Sequence, residues 1–285
     1  MTATHCPYCA LQCAQTLSPP DDAAAAVGAP VTVGGRDFPT NRGGLCQKGW
    51  TSAQVLRAPD RLTTPLVRGV DGVLHPATWD DALDVVADRL RAIRSAHGPD
   101  AVGVFGGGGL TNEKAYALGK FARVVLGTRF IDYNGRFCMA SAAAAANRAF
   151  GVDRGLPFPL ADLGGAQAVL LLGSNLAETM PPAVAHLAGT RGAGGLLVVD
   201  PRRSATATLT DDDAGLHLQP IPGTDLAVLL GLLHVVLVEG LADEAYLAAR
   251  TTGADDVRRS AAAWWPERVE QVTGVPADTL RGAAR

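Results

Sequence analysis

Four cysteines near the amino end constrain this chain more than any other feature: Cys6, Cys9 and Cys13 in HCPYCALQC, then Cys46 in GLCQKGW. The spacing is C-x2-C-x3-C, and 32 residues separate Cys13 from the fourth cysteine. Three thiolates on one short loop can reach three corners of a small cubane, and a fourth from a distant turn can close it. The pattern therefore favours a [4Fe-4S] cluster. A structural zinc site is the competing reading, but zinc ribbons present a C-x2-4-C pair on each of two turns, and the second pair is missing. A disulfide framework suits a short secreted domain, which a chain of 285 residues is not.

Lys48 stands two residues after Cys46, in a chain with three Lys (48, 114 and 120) against 22 Arg. An ammonium fixed beside a cluster favours the reduced, more negative state and can hydrogen-bond a second cofactor. Elsewhere in the chain a Lys would simply be a solvated surface residue.

The bulk of the sequence narrows the classes further. With 47% hydrophobic residues the chain can bury a core and form one or two domains. A net charge of −3 and a pI near 6.1 supply no basic field, so no nucleic-acid partner is expected. The start MTATHCPYC has no charged region, no apolar region and no twin-Arg motif, which predicts retention in the cytoplasm. The longest apolar run, Leu226 to Val238, is thirteen residues with His234 inside it. That is too short for a bilayer and reads as a buried helix, so no membrane partner is expected. All five cysteines can serve metals, which fits a reducing compartment.

The run HCPYCALQC…GGLCQKGW resembles the amino-terminal cluster segment of the molybdopterin oxidoreductases of the dimethyl-sulfoxide-reductase family, and Cys-x-Lys-Gly is a specific part of that pattern. The resemblance implies that the cluster passes single electrons across Lys48 to a molybdenum ion held by two molybdopterin guanine dinucleotides.

Residues 14 to 58 mix Pro, Gly and short alternating stretches, as expected of loops and small strands folded around a cluster. This module has little core of its own and would lean on the cluster and on the rest of the protein. Ala23 to Ala26, after Pro19-Pro20-Asp21-Asp22, reads as a surface excursion. After Pro59 and Pro65 helices and strands alternate. Thr78 predicts a helix cap, with Ala82, Val85, Val86, Leu90 and Ile93 forming one core face through Ala96. A strand over Ala101–Phe105 then runs into Gly106–Gly109, and Thr111 opens a helix that Gly127 ends. Strand, glycine run and helix together let backbone amides approach a phosphate or a flat ring system.

The stretch from Asp132 to Ser141 holds the fifth cysteine. Cys138 falls just before an alanine-rich helix, whose unpaired amides and dipole favour a thiolate, the form a soft metal binds. A lone cysteine elsewhere would be a small buried hydrophobe. N-x3-C-M-x-S is similar to the molybdenum-ligand segment of nitrate reductases, and the likeness is nearest to the cytoplasmic assimilatory type; family formate dehydrogenases carry Cys or selenocysteine in other surroundings. The resemblance thus implies Cys138 as molybdenum ligand, Asn134 as cofactor contact and nitrate as substrate.

Downstream, an apolar strand at Ala168–Leu172 leads into a stretch with Gly173, Ser174, Asn175, Glu178 and Thr179, in which Gly allows close approach and the Ser and Asn side chains with adjacent amides can hydrogen-bond pyrophosphate or pterin edges. Leu196–Val199 ends on Asp200 and Arg202, and the acidic residue can pair with ribose or guanine. Gly223, Thr224 and Asp225 precede the long apolar helix, with Thr224 as its cap. The resemblance matches these stretches to cofactor-binding loops. Trp264 and Trp265 read as packing residues. His5 reads as a neighbour of the cluster, and the remaining histidines form no paired-ligand motif.

The expected architecture is α/β: a [4Fe-4S] module over residues 1–60, then Rossmann-like layers with mainly parallel strands over 61–285, in a first part 61–138 and a second part 139–285. The family continues well beyond this length, so an electron donor protein or reductase domain, and a separate chain supplying further domains, are the partners implied. The predicted activity is reduction of nitrate to nitrite. The alternatives are formate oxidation on the same machinery, or an inactive iron-sulfur electron-transfer fragment.

Overall fold

Short apolar stretches broken by Gly, Pro and Asx turns give this chain many small elements, and two of the sheets that result gather the loops of interest. The structure, a computed structural model, describes residues 1–22, 29–152 and 155–285. The excursion read at Ala23–Ala26 lies outside the described residues. The fold is mixed α/β and divides into two compact units, Met1–Ala53 with Phe158–Arg285, and Gln54–Pro157. Compactness thus groups the chain differently from the linear division at residues 60 and 138, because the amino-terminal hairpin shares a core with residues after 158.

In the first unit β1 (Thr2–His5) and β2 (Ala14–Ser18) pair antiparallel from Thr2↔Leu17 to His5↔Ala14, and β3 (Thr32–Gly35) pairs antiparallel with β2. The residues between β1 and β2 are those of the C-x2-C-x3-C segment. In the second unit β4 (Leu66–Arg68) and β5 (Leu74–Pro76) form a small hairpin, while β6 (Val104–Gly106) and β7 (Ile131–Tyr133) are parallel. Back in the first unit, β8 (Val169–Leu172), β9 (Leu196–Val199) and β10 (Gly215–Leu218) form a parallel sheet in the order β10-β9-β8. Parallel strands in this order place the carboxyl ends of all three on one edge.

Two hydrophobic clusters anchor the first unit. One joins Cys6, Leu11 and Cys13 to Leu176, Leu187, Leu196 and Val198, so the cysteine hairpin has no separate core and is built into that of the sheet. The other joins Val199 and Leu218 to Val228, Val269, Val275 and Leu280. The apolar helix Asp225–Val238 buries Val228, Gly231 and Val235 there. At Gly231 a Cβ would press on the Val269 and Leu280 side chains, so glycine lets this helix sit close to its neighbours. Thr224 lies at its amino end but does not cap it with its side chain; the hydroxyl donates to the Ile221 carbonyl at 2.6 Å. Among the described residues no helix is long and apolar enough to cross a membrane.

The second unit departs more from the sequence reading. Thr78 caps the helix Trp79–His97 by accepting from the Asp81 amide at 3.1 Å, as expected. No residue of that helix is buried, however, and Val86 and Ile93 are 53% and 41% exposed. Its face is apolar but exposed, and is not core. The strand expected at Ala101 begins at Val104, since Pro99–Ala101 forms a 3-10 turn after Gly98. The helix capped by Thr111 runs from Asn112 to Lys120, continues as a π-helical turn over Phe121–Leu126, and stops at Gly127 with φ +69°.

Candidate functional site

The three early cysteines lie on the β1–β2 hairpin loop, closed at its base by the Cys6 amide donating to the Cys13 carbonyl at 2.8 Å. Within the loop the Gln12 amide donates to the Cys9 carbonyl at 3.1 Å, with Gln12 itself at φ +46°. Cys6 and Cys13 are buried, and Cys9 is half-buried. Cys46, also half-buried, sits at the amino end of the helical turn Gln47–Trp50, and its side chain makes no capping hydrogen bond there. Burial pushes the Cys13 thiol above its ordinary range, and the charges of Cys9, Cys6 and Cys46 push it further in the same direction. Cys9, Cys6 and Cys46 therefore all lie near enough to Cys13 for their charges to act on it. Among the described residues no three His, Cys, Asp or Glu groups converge where a single ion would sit. A cluster with an iron at each corner needs no such convergence, since each thiolate binds its own iron. The all-thiolate donor set, with Cys6 and Cys13 buried and Cys9 and Cys46 half-buried, fits an iron-sulfur cluster. His5 stays outside that set: its Nδ1 is 2.7 Å from the Gln12 carbonyl oxygen and its ring meets Phe38 edge-on at 5.1 Å.

Lys48 points from the turn after Cys46 to the far side of the same unit, where its Nζ donates to the Thr179 carbonyl at 2.7 Å. Thr179 ends the loop that follows β8. Gly173 opens that loop at φ +59°, its amide held by the Val199 carbonyl at 2.9 Å. Asn175 donates to Glu178 Oε2 at 2.7 Å and accepts from the Thr206 hydroxyl at 3.0 Å, while Thr206 Oγ1 accepts from the Ala177 amide at 3.0 Å. Thr206, fully buried, is a residue that sequence reading missed; no local pattern marks a threonine whose partners lie about thirty positions away.

The second strand end carries Asp200, buried, whose Oδ1 accepts from the Arg202 amide at 2.8 Å in a tight Asx turn. The third end leads to Gly223 at φ +86° and to Thr224 and Asp225. Gln219 ties this end to the second by donating to the Pro201 carbonyl at 2.8 Å. The carboxyl edge of the β10-β9-β8 sheet thus gathers Gly173, Ser174, Asn175, Asp200, Arg202, Gly223, Thr224 and Asp225. Loops at the carboxyl ends of parallel strands are where α/β folds bind nucleotides.

In the second unit the Gly106–Gly108 run follows β6, and the Gly108 amide donates to Asn134 Oδ1 at 2.8 Å. A cavity of about 450 Å³ opens there, lined by Gly106, Gly107, Gly108, Leu118, Asp132 and Tyr133. Cys138 closes the short helix Gly135–Cys138, and Met139 separates it from the helix Ala140–Phe150. Its thiol is exposed. A Cβ at Gly135 would meet the outer edge of the Tyr133 ring, so a side chain there would make the tyrosine shift.

Two family models match the chain: the molybdopterin oxidoreductase Fe4S4 domain over residues 1–57, and molybdopterin oxidoreductase over residues 61–268. The chain belongs to the molybdopterin oxidoreductases. The assimilatory nitrate reductase catalytic subunit of Bacillus subtilis is 37% identical over 99% of this chain and 39% of its own length. Formate dehydrogenase H of Escherichia coli is 34% identical over the same shares, 99% and 39%. Acetylene hydratase from Pelobacter acetylenicus shares the fold, with a TM-score of 0.82 at 23% identity, over 100% of this chain and 38% of that one. This molybdopterin oxidoreductase chain therefore spans about two-fifths of the length of the relatives it matches. An iron-sulfur module and a molybdopterin-binding region are the parts its family membership establishes.

Proposed function

We propose that the chain carries the cluster and part of the cofactor cradle of a molybdenum-dependent reductase that converts nitrate to nitrite. The observation that carries the electron path is the Lys48–Thr179 hydrogen bond, which ties the turn after the fourth cysteine to the loop at the end of β8. Cys6, Cys9, Cys13 and Cys46 would hold the [4Fe-4S] cluster. Lys48 keeps a positive charge between them and the cofactor loops, which favours the reduced cluster. Gly173, Ser174, Asn175, Glu178 and Thr179 bind pyrophosphate or pterin edges, Asp200 and Arg202 the nucleotide, and Gly223, Thr224 and Asp225 the neighbouring rim of the cradle. Asn134 orders the glycine turn at 108, and Cys138 is the thiolate ligand for molybdenum.

Molybdenum held by molybdopterin guanine dinucleotide supplies oxygen-atom transfer, with nitrate, two electrons and two protons giving nitrite and water. A cytoplasmic setting belongs to this reading and agrees with five unpaired cysteines. An electron donor protein or reductase domain must feed the cluster, and the remaining length of the relatives must come from further polypeptide. Nitrate is favoured by the N-x3-C-M-x-S context of Cys138 and by the 37% identity to the Bacillus subtilis enzyme. Formate oxidation on the same residues is the second reading, supported by the 34% identity to formate dehydrogenase H.

Iron and molybdenum analysis of anaerobically purified protein, followed by nitrate with reduced viologen and formate with oxidised viologen, tests these readings. Nitrate turnover that Cys138→Ala abolishes while the cluster spectrum persists is the expected result. Turnover of formate alone would move the chain to the second reading, and iron without molybdenum or turnover would leave an electron-transfer fragment.

A further inference from the structure

Between β3 and Cys46 the chain forms a strap, residues 36–46, that crosses the cysteine hairpin. Asn41, buried, is its hub. The Asn41 Oδ1 accepts from the Ala14 amide at 3.1 Å, and Nδ2 donates to the Gly44 carbonyl at 2.8 Å and the Arg36 carbonyl at 3.1 Å. Ala14 follows Cys13 and Gly44 precedes Cys46 by two residues, so one side chain links the third ligand position to the fourth. Thr40 adds a second link by donating to the Leu11 carbonyl at 2.6 Å, within the loop that carries Cys9 and Cys13.

His186, 2% exposed and 146 positions from Thr40, holds the strap from the other side. Its Nε2 lies 3.0 Å from the Thr40 carbonyl oxygen and its Nδ1 lies 3.3 Å from Arg42 Nη2. A neutral imidazole satisfies both, donating from Nε2 and accepting at Nδ1. Arg42 lies at φ +45° and Gly43 at φ +78°, the left-handed pair that turns the strap back toward Cys46. The strap passes so close over the end of β3 that a Cβ at Gly35 would overlap the Gly43 carbonyl. Neither His186 nor Asn41 belongs to the proposed ligand set or to the cofactor loops. Both are buried polar groups whose hydrogen bonds all fall on the strap and the hairpin.

We infer that Asn41 and His186 are positioning residues that set the loop of the fourth cysteine against the hairpin of the other three before a cluster is inserted. The inference rests on the reading of Cys6, Cys9, Cys13 and Cys46 as cluster ligands. It assigns the order of the nest to the protein: the parts of the site distant in sequence are joined by side chains that bind no metal. Groups of this kind around a metal site change affinity by about 10–100-fold when removed.

The test compares the full chain with His186→Leu, His186→Gln and Arg42→Gly. Hydrogen exchange of residues 38–46 is followed in cluster-free protein; chelator-driven iron loss and midpoint potential are measured after anaerobic reconstitution with ferrous iron and sulfide. In His186→Leu the strap amides should exchange about tenfold faster, iron loss should accelerate by about tenfold and the potential should shift. His186→Gln, which keeps a donor for the Thr40 carbonyl, should recover most of each change. Arg42→Gly suits the left-handed backbone and removes only the Nδ1 contact, so it should show a smaller change of the same kind. It also serves as the test if His186→Leu does not fold. Exchange, iron loss and potential all equal to the parent in the folded variants would overturn the inference. If the parent takes up no iron, the ligand reading fails, while the exchange comparison, made without a cluster, still decides whether the two residues set the strap.

Discussion

The two compact units of this chain are made of similar elements and are stabilised very differently. In the first, Leu187, Leu196, Val198 and Leu280 are at most 1% exposed, and the cysteine hairpin is part of the same packing. In the second, the buried hydrophobic residues among those described are Ala122 and Leu126, while Tyr116, Phe137 and Phe150 are 73%, 81% and 81% exposed. Periodic apolar residues are present in both. The sheets differ as well: three parallel strands form one sheet in the first unit, while the second unit holds two separate two-stranded sheets. An amphipathic helix gains stability from the face opposite it, so the same pattern gives a core in one unit and an uncovered face in the other.

This contrast breaks most directly by cavity formation. Leu187→Ala should destabilise the first unit by about 2–5 kcal/mol, because a fully enclosed leucine leaves a void that its neighbours only partly fill. Ile93→Ala, in the helix whose face stays open, should cost less than about 1 kcal/mol. Urea titration followed by a probe in each unit reads both values. Equal losses would mean that the helix Trp79–His97 is packed as tightly as Leu187 and would remove the distinction.

Hydrogen exchange sharpens the same comparison without a mutation. Amides of β9, in the centre of its sheet, should be protected more than those of β6 and β7 by about 3 kcal/mol, a factor of roughly 100 in rate. Similar protection across the two sheets would contradict the difference in burial.

How much of this was legible in the sequence divides along the same line. The cysteine hairpin could be read because ligand chemistry imposes spacing, and the strands at Leu196–Val199 and Val169–Leu172 could be read because continuous apolar runs with a glycine at one end have few alternatives. Thr78 was legible as a cap because its hydroxyl acts on an amide three residues away. Thr224 occupies an equivalent sequence position, yet its hydroxyl turns back to Ile221, a choice made by the Pro-Ile-Pro-Gly turn before it. The strap escaped notice because Asn41 and His186 act across 27 and 146 positions, and nothing local distinguishes them from a turn asparagine and a helix histidine. Val86 and Ile93 were assigned to a core for a similar reason: a periodic pattern identifies an apolar face and says nothing of what lies against it.

A smaller effect comes from the cap itself. Thr78→Ala removes the acceptor for the Asp81 amide and should lower the stability of the second unit by about 1 kcal/mol, read as a loss of helical signal in that unit's transition. Thr78→Ser, which keeps the oxygen, should be close to the parent. Since the helix has little tertiary support, its local signals should matter more here than a cap would in the first unit; a change well below the peptide range would indicate cover that the burial pattern does not reveal.

The smallest expected effect lies at Cys13 and concerns cluster-free protein. Burial first, and the charges of Cys9, Cys6 and Cys46 after it, raise the thiol in the folded state above its ordinary range. The folded chain therefore holds a proton that the unfolded chain gives up, and between the unfolded and folded values stability falls as pH rises. The contribution is fully present below the ordinary thiol range, about pH 8.5, and is lost as pH climbs through the folded value. Urea midpoints of the first unit should be level through neutral pH and decline above that range. Cys13→Ser should flatten the slope. A slope that persists unchanged in Cys13→Ser would place the titrating group elsewhere and leave the crowding of the four thiols without a measurable consequence for folding.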